Sequence, residues 1–244
     1  MTLFDQIFDP EIRPAIRVAT GDPRIERPPG LPDEEASLKR ASEGRRREFR
    51  TGRALAREAL EALGIAPTAI PSAHDRSPMW PEGIAGSVTH CNDLCAAAVA
   101  RKAGGILSIG LDVEPAEPLD PDLIPEICVD EERRWLASLP ASRCGLFART
   151  VFSAKECAYK CQYPLSHTLL DFHAMTISID ISRGRFEACF NRDVPPFRTG
   201  DRLPGRFAID SRHIMTATAL TANAFASGSL HRQGESHDAP VRYG

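Results

Sequence analysis

The sequence predicts an α+β protein on three observations: an amphipathic helix pattern in its first quarter, a second long helix pattern past its middle, and three short strand-like runs after that helix. Residues 1 to about 37 carry Pro10, Pro14, Pro23, Pro28, Pro29 and Pro32, which favour extended backbone and turns over long helices. The first helix is expected over residues 42–63: Phe49, Leu55, Ala59, Leu60 and Leu63 make an apolar stripe, Gly64 suits a C-terminal cap, and Gly52 weakens the middle. A proline-rich loop over 71–81 leads into GSVTHCNDLCAAAVA, whose later half reads equally as a buried strand or a short helix. ILSIGLDVE at 106–114 follows a Gly-Gly pair and stops at Pro115, the pattern of a strand. PAEPLDPDLIP is a proline-punctuated crossover. Asp130 suits the cap of a short helix, and a longer one is expected over about 142–162, stopping near Pro164. MTISIDI, RFEACF and HIMTATAL are the strand-like runs, the first two joined by a hairpin turn at 182–184.

The expected organisation is an N-terminal half over 1–115, a C-terminal half over 116–225 and a loose polar tail over 226–244. At 244 residues, 42% hydrophobic and 26% charged, the composition is that of an ordinary globular protein with no apolar run long enough for a membrane span. The first residues lack the pattern of a secretory signal, so the expected location is the cytoplasm. Seven cysteines without a CxxC pair suggest reduced thiols, and a net charge of -3 argues against a nucleic-acid partner.

Three constellations carry chemistry. Asp112-Val113-Glu114 lies on the expected strand, where alternation puts both carboxylates on one face; such a pair suits Mg²⁺, which combines protein carboxylates with phosphate oxygens and water. FSAKECAYK places Lys155, Glu156 and Lys160 within one and a half helical turns, a carboxylate to accept a proton and two ammonium groups to hold a polyphosphate. GSVTHC supplies Ser87, Thr89 and His90 as hydrogen-bond donors to a phosphate, and Arg45, Arg53 and Arg76 upstream offer planar forks for the same purpose. Taken singly, each has an ordinary explanation as solvated surface or an exposed ion pair.

Together, RRREFRTGRALAREALEALG, SPMWPEGIAGSVTHC, IGLDVEP with the following PL, and FSAKECAYKCQYPL resemble the 4′-phosphopantetheinyl transferases of siderophore and surfactin biosynthesis, over roughly residues 45–165. The resemblance implies a pseudo-twofold pair of similar α+β halves with the active site between them. It implies coenzyme A as co-substrate, held by Arg45, Arg53, Arg76, Thr89 and His90, and Mg²⁺, with Mn²⁺ as a substitute, held by Asp112, Glu114 and Glu156. Lys155 and Lys160 would serve the pyrophosphate, and Glu156 is a candidate for base, metal ligand or both. The implied partners are apo carrier proteins, or carrier domains of nonribosomal peptide or polyketide synthases, and one chain completing its own cleft implies a monomer. Where many relatives have Trp, this chain has Phe152. Two rival readings are a coenzyme A-binding protein without transferase activity, which would lack a metal carboxylate or the Lys-Glu pair, and a Mg²⁺-dependent phosphohydrolase, which would need no carrier.

Overall fold

Two antiparallel sheets lie edge against edge in the computed structural model, which describes residues 7–226 and 230. The first has the order β1 (Ile16–Gly21), β3 (Cys95–Arg101), β2 (Ile84–His90). The second has the order β4 (Ile106–Pro115), β8 (His213–Thr221), β7 (Arg202–Ile209), β6 (Arg185–Phe190), β5 (Met175–Asp180). The helices are α1 (Pro32–Glu35), α2 (Glu43–Glu61), α3 (Ile124–Ile127), α4 (Asp130–Ser138), α5 (Ala141–Ser166) and α6 (Ala222–Ala226). This is the expected α+β class in two halves, with α2 laid on the first sheet and α5 on the second.

The ambiguous CNDLCAAAVA segment is the turn and second strand of a hairpin. β3 is the middle strand of its sheet, and Cys95 to Ala100 are all buried. Cys95, Ala97 and Val99 pack under α2, while Ala96, Ala98 and Ala100 join a core with Ile109, Leu111 and Val113 of β4. A strand covered on both faces loses the polar alternation that identifies half-buried strands, so its pattern carries no period.

β4, which the sequence reading places in the N-terminal half, pairs along its length with β8 in the second sheet. The structural break therefore precedes Ile106, in the short turn through Gly105. β2 and β4 are neighbouring edges with no backbone ladder between them, and side chains close the gap. Ser87 Oγ accepts from the Leu111 amide and Thr89 Oγ1 from the Val113 amide, each at 3.1 Å. Buried edge amides are thus satisfied without merging the sheets.

Ser42 caps α2, its Oγ accepting from the Arg45 amide. Gly52, a weak helix former, has a reason to be there: a Cβ at that position would lie 2.9 Å from Val88 Cγ1 on β2. α5 runs past Pro164 to Ser166, since a proline in the last turn still permits helix on its C-terminal side, and His167 ends it in the left-handed conformation. Its approach to β4 depends on Gly110, where a Cβ would lie 2.0 Å from the Cys157 carbonyl oxygen. The 182–184 turn joins β5 and β6 as expected, whereas β1 and β7 were not legible. All seven cysteines are free thiols. The proposed tail lies outside the described residues except for Ala226 and Leu230. No helix among the described residues is long and apolar enough to cross a membrane.

Candidate active site

Alternation along β4 sends Ile109, Leu111 and Val113 into the core between the sheets and turns Ser108, Gly110 and Asp112 towards α5. Asp112 is only 4% exposed, and both its oxygens are engaged. Oδ1 accepts from Lys160 Nζ at 2.6 Å and from Thr89 Oγ1 at 3.1 Å, and Oδ2 accepts from Ser153 Oγ at 2.8 Å. Lys160 Nζ also donates to the Leu111 carbonyl at 3.2 Å. Burial alone would lower the Lys160 pKa, but Asp112 and then Glu156 outweigh it and raise it.

Glu114, two residues on, accepts from Arg149 at 3.2 Å. Its pKa is pushed up to about 7, first by burial and then by the charge of Asp112, with Arg149 partly compensating. Glu156 is shifted upward for the same two reasons, and Lys160 opposes the shift. Two glutamates whose charge is destabilised by burial and by a neighbouring Asp112 make, with that aspartate, a fitting donor set for a hard divalent cation. They are less tightly gathered than a preformed cage: among the described residues, the one group of three or more His, Cys, Asp or Glu with ligand atoms all within 4.8 Å of one another lies elsewhere.

Arg149, Ser153, Glu156 and Lys160 recur at spacings of four, three and four, which is one face of a helix. Arg149 and Ser153 were missed in the sequence, though that spacing could have found them. Lys155 sits about 100° round the helix from Glu156, and the structure does not bring it into the cleft. Its ammonium is 2% exposed and donates to the Ile127 and Phe172 carbonyls, both at 2.7 Å, with Glu132 Oε2 at 2.8 Å. Glu132 in turn accepts from the amides of Val129 and Ile177. Lys155 in this structure ties α3, α4 and the turn before β5 to α5.

A cleft of about 670 Å³ opens on the other side of Asp112 and Lys160. Arg45, Arg53 and Arg76 line it with Thr89 and His90, and so do Arg40 and His74, which the sequence reading passed over. Arg45 approaches His90 Nε2 at 2.9 Å, and burial depresses the pKa of His90. An imidazole that accepts this hydrogen bond leaves the remaining donors of Arg45 for a ligand. Arg53 lies over the Phe49 ring at 4.5 Å and donates to Ser72 Oγ at 3.2 Å. Its Nε is buried without a partner, and burial lowers its pKa to about 10. Arg76, with φ +71°, is carried on a loop tied across to α5 by the hydrogen bond from Tyr163 to Asp75. Lys155, Glu156, Tyr159, Leu170, Asp171, Phe172 and Met175 line a second recess of about 140 Å³.

The profile of the 4′-phosphopantetheinyl transferase N-terminal domain matches residues 33–100, and that of the 4′-phosphopantetheinyl transferase superfamily matches residues 108–208. The gap between the two matched segments, residues 101–107, spans the turn between β3 and β4, where the two sheets part. The chain is 38% identical over 197 residues to the 4′-phosphopantetheinyl transferase Svp of Streptomyces mobaraensis, covering 80% of each chain. It is 35% identical to Npt of Nocardia iowensis, over 77% of this chain and 88% of that one, and 34% identical to PptT of Mycobacterium tuberculosis, over 79% and 88%. Enterobactin synthase component D of Salmonella typhi is 34% identical over half of each chain. With both halves matched and relatives aligned over most of their length, the chain belongs to the 4′-phosphopantetheinyl transferase superfamily.

Proposed function

We propose that this chain transfers the 4′-phosphopantetheine group of coenzyme A to a serine of an apo carrier protein, with the bisphosphate end of coenzyme A in the arginine-lined cleft. The observation that carries the reading is Arg53: a guanidinium with one buried, unpartnered N–H, beside two further arginines, is a site built for an anion that the protein itself does not supply. The 3′-phosphate of coenzyme A is such an anion. The pyrophosphate then falls towards Lys160, and the pantetheine arm fits the mixed polar and aromatic recess beside Glu156. Peptidyl, aryl or acyl carriers of siderophore, nonribosomal peptide or polyketide assembly are the substrates this reading names, with a monomer in the cytoplasm as the working form.

Asp112, Glu114 and Glu156 would hold Mg²⁺, or Mn²⁺ in its place, which when bound neutralises the pyrophosphate and stabilises charge that develops in phosphoryl transfer. The remaining work belongs to side chains of the chain. Lys160, fixed by Asp112 and the Leu111 carbonyl, supports the departing phosphate and can return a proton to it. Glu156, whose proton affinity is raised by burial, takes the proton of the carrier serine as its oxygen attacks the phosphorus on the pantetheine side. The P–O bond to the adenosine side breaks, and adenosine 3′,5′-bisphosphate leaves. Thr89 and Ser153 orient Asp112, and Arg149 orients Glu114.

The test is incubation with coenzyme A, Mg²⁺ and apo peptidyl, aryl or acyl carrier, read by intact mass. The carrier should gain one phosphopantetheine unit, dependent on metal, and a serine-to-alanine carrier should gain none. Release of phosphopantetheine without carrier modification would favour the phosphohydrolase instead.

A further inference from the structure

A second cluster of metal-ligating side chains lies outside the transfer site. Cys91 follows His90 at the end of β2, Asp93 is in the turn to β3, and His213 opens β8. Their ligand atoms all lie within 4.8 Å of one another. His213 Nε2 is 2.9 Å from Asp93 Oδ1, and Cys91 Sγ is 3.7 Å from the same oxygen. A tetrahedral zinc ion with bonds of about 2.0 Å to N and O and about 2.3 Å to S sets its ligand atoms roughly 3.3 to 3.6 Å apart. The two observed separations bracket that range, and the third pair, from Cys91 and His213, lies within 4.8 Å, so side-chain adjustment brings the three ligands onto one ion.

The outer partners are also those of a metal centre. His213 is 8% exposed; its Nδ1 lies 3.8 Å from Asp210 Oδ1, and its Nε2 shares a hydrogen bond with Asp93 Oδ1 that a metal ion would replace. Asp210 is itself held in place, since its Oδ1 accepts from the amides of Arg212 and His213, both at 2.7 Å. Arg212 pairs with the other oxygen of Asp93, leaving Oδ1 as the inward donor.

We propose that Cys91, Asp93 and His213 form a binding site for a zinc-class cation, distinct from the carboxylate site of the transfer reaction. A thiolate, an imidazole and one carboxylate select a borderline-soft ion and discriminate against Mg²⁺, which requires oxygen ligands. Binding displaces the thiol proton of Cys91 to solvent, keeps the imidazole neutral and leaves a fourth position for water. The ligands come from both halves: Cys91 and Asp93 from the first sheet, His213 from the second, where it pairs with Pro115 next to Glu114. An ion there joins the β2–β3 turn to β8 at the flank of the transfer site.

Cobalt is the probe. Chelator-treated protein titrated with Co²⁺ in excess Mg²⁺ should take up one equivalent with a thiolate-to-cobalt charge-transfer band and tetrahedral visible bands, and Zn²⁺ should displace it. Cys91→Ser should abolish the charge-transfer band, and His213→Ala should weaken Zn²⁺ binding by about a hundredfold, measured by competition with a chromogenic chelator. Cys144→Ser, Cys189→Ser and Glu114→Gln should leave the bands intact. Zn²⁺ should raise the melting temperature of the wild type and leave that of Cys91→Ser unmoved, while the two melt alike in chelator. No charge-transfer band in the wild type, a band that survives Cys91→Ser, or one lost in Glu114→Gln would overturn the site.

Discussion

Both halves of the molecule lay one long helix across an antiparallel sheet, and in both a glycine lets helix and strand close up: Gly52 of α2 against Val88, and Gly110 of β4 against α5. The packing is alike, but the side chains aimed at the cleft are not. α2 presents Arg45, Phe49 and Arg53, with Arg76 and His74 contributed by the loop beyond it. From the second half, Asp112 of β4 and Lys160 of α5 line the same cleft, with Glu114, Arg149, Ser153 and Glu156 grouped around them. The first half carries positive charge in want of an anion, and the second carries carboxylates in want of a cation. A ligand with phosphates at one end and a phosphoryl group to be moved at the other meets both needs. The shared architecture positions the groups, and the choice of residue on a few cleft-facing positions separates binding from chemistry.

The sharpest way to break this comparison is Asp112→Asn, which keeps shape and removes charge at the hub of the second half. Transfer should fall by about a thousandfold in kcat/KM, roughly 4 kcal/mol of transition-state stabilisation, with coenzyme A affinity changed only a few-fold. Full activity in a folded variant would detach the carboxylate wall from the reaction. Next in size is Lys155→Met, which leaves Glu132 buried without its cation. Urea denaturation should show a loss of about 3 to 4 kcal/mol, and Glu132→Gln in the same chain should recover part of it, because the neutral amide removes the unpaired charge and its oxygen can still accept from a buried backbone amide. If Lys155→Met instead kept stability and lost coenzyme A binding, the lysine would belong to the cleft.

On the arginine side, Arg45→Ala or Arg76→Ala should raise the KM for coenzyme A by about ten- to a hundredfold, the equivalent of one or two charge-assisted hydrogen bonds. The same variants should treat dephospho-coenzyme A nearly as the wild type does. Equal penalties with both substrates would remove the 3′-phosphate from this wall.

Much of the site was readable because its residues lie on regular elements: alternation put Asp112 and Glu114 on a strand, and helical spacing joined Glu156 to Lys160. What spacing could not tell is which way a helix is rotated. Lys155 is adjacent to Glu156 in sequence, yet it faces a carboxylate on α4 that no local pattern connects to it. β1 and β7 escaped notice for different reasons. β1 lies inside a proline-rich stretch and is mostly half-buried, and β7 contains Pro204 and Gly205, residues that ordinarily argue against a strand. That β4 pairs with β8 was not legible, because the partner lies about a hundred residues away and sheet membership is set by pairing that the sequence of one strand does not contain.

The smallest effect separates the carboxylate wall in its metal-free state from the same wall at work. Glu114 has its pKa raised from an ordinary 4.5 to about 7, chiefly by burial and then by Asp112. The unfolded chain therefore loses this proton first. Between about pH 4.5 and 7 the folded chain retains a proton that the unfolded chain has released, so the contribution of Glu114 to stability is fully present below that window and lost as pH rises through it. In chelator, the stability difference between wild type and Glu114→Gln should shift by about 1 to 3 kcal/mol in favour of the variant from pH 4.5 to 8, as read by urea denaturation. Parallel pH profiles would show that Glu114 titrates normally. With Mg²⁺ present the ionised form is the one required, so Mg²⁺ should stabilise the wild type more at pH 8 than at pH 6 and should do little for Glu114→Gln at either. That sign reversal distinguishes a carboxylate waiting for a cation from one merely buried against Arg149.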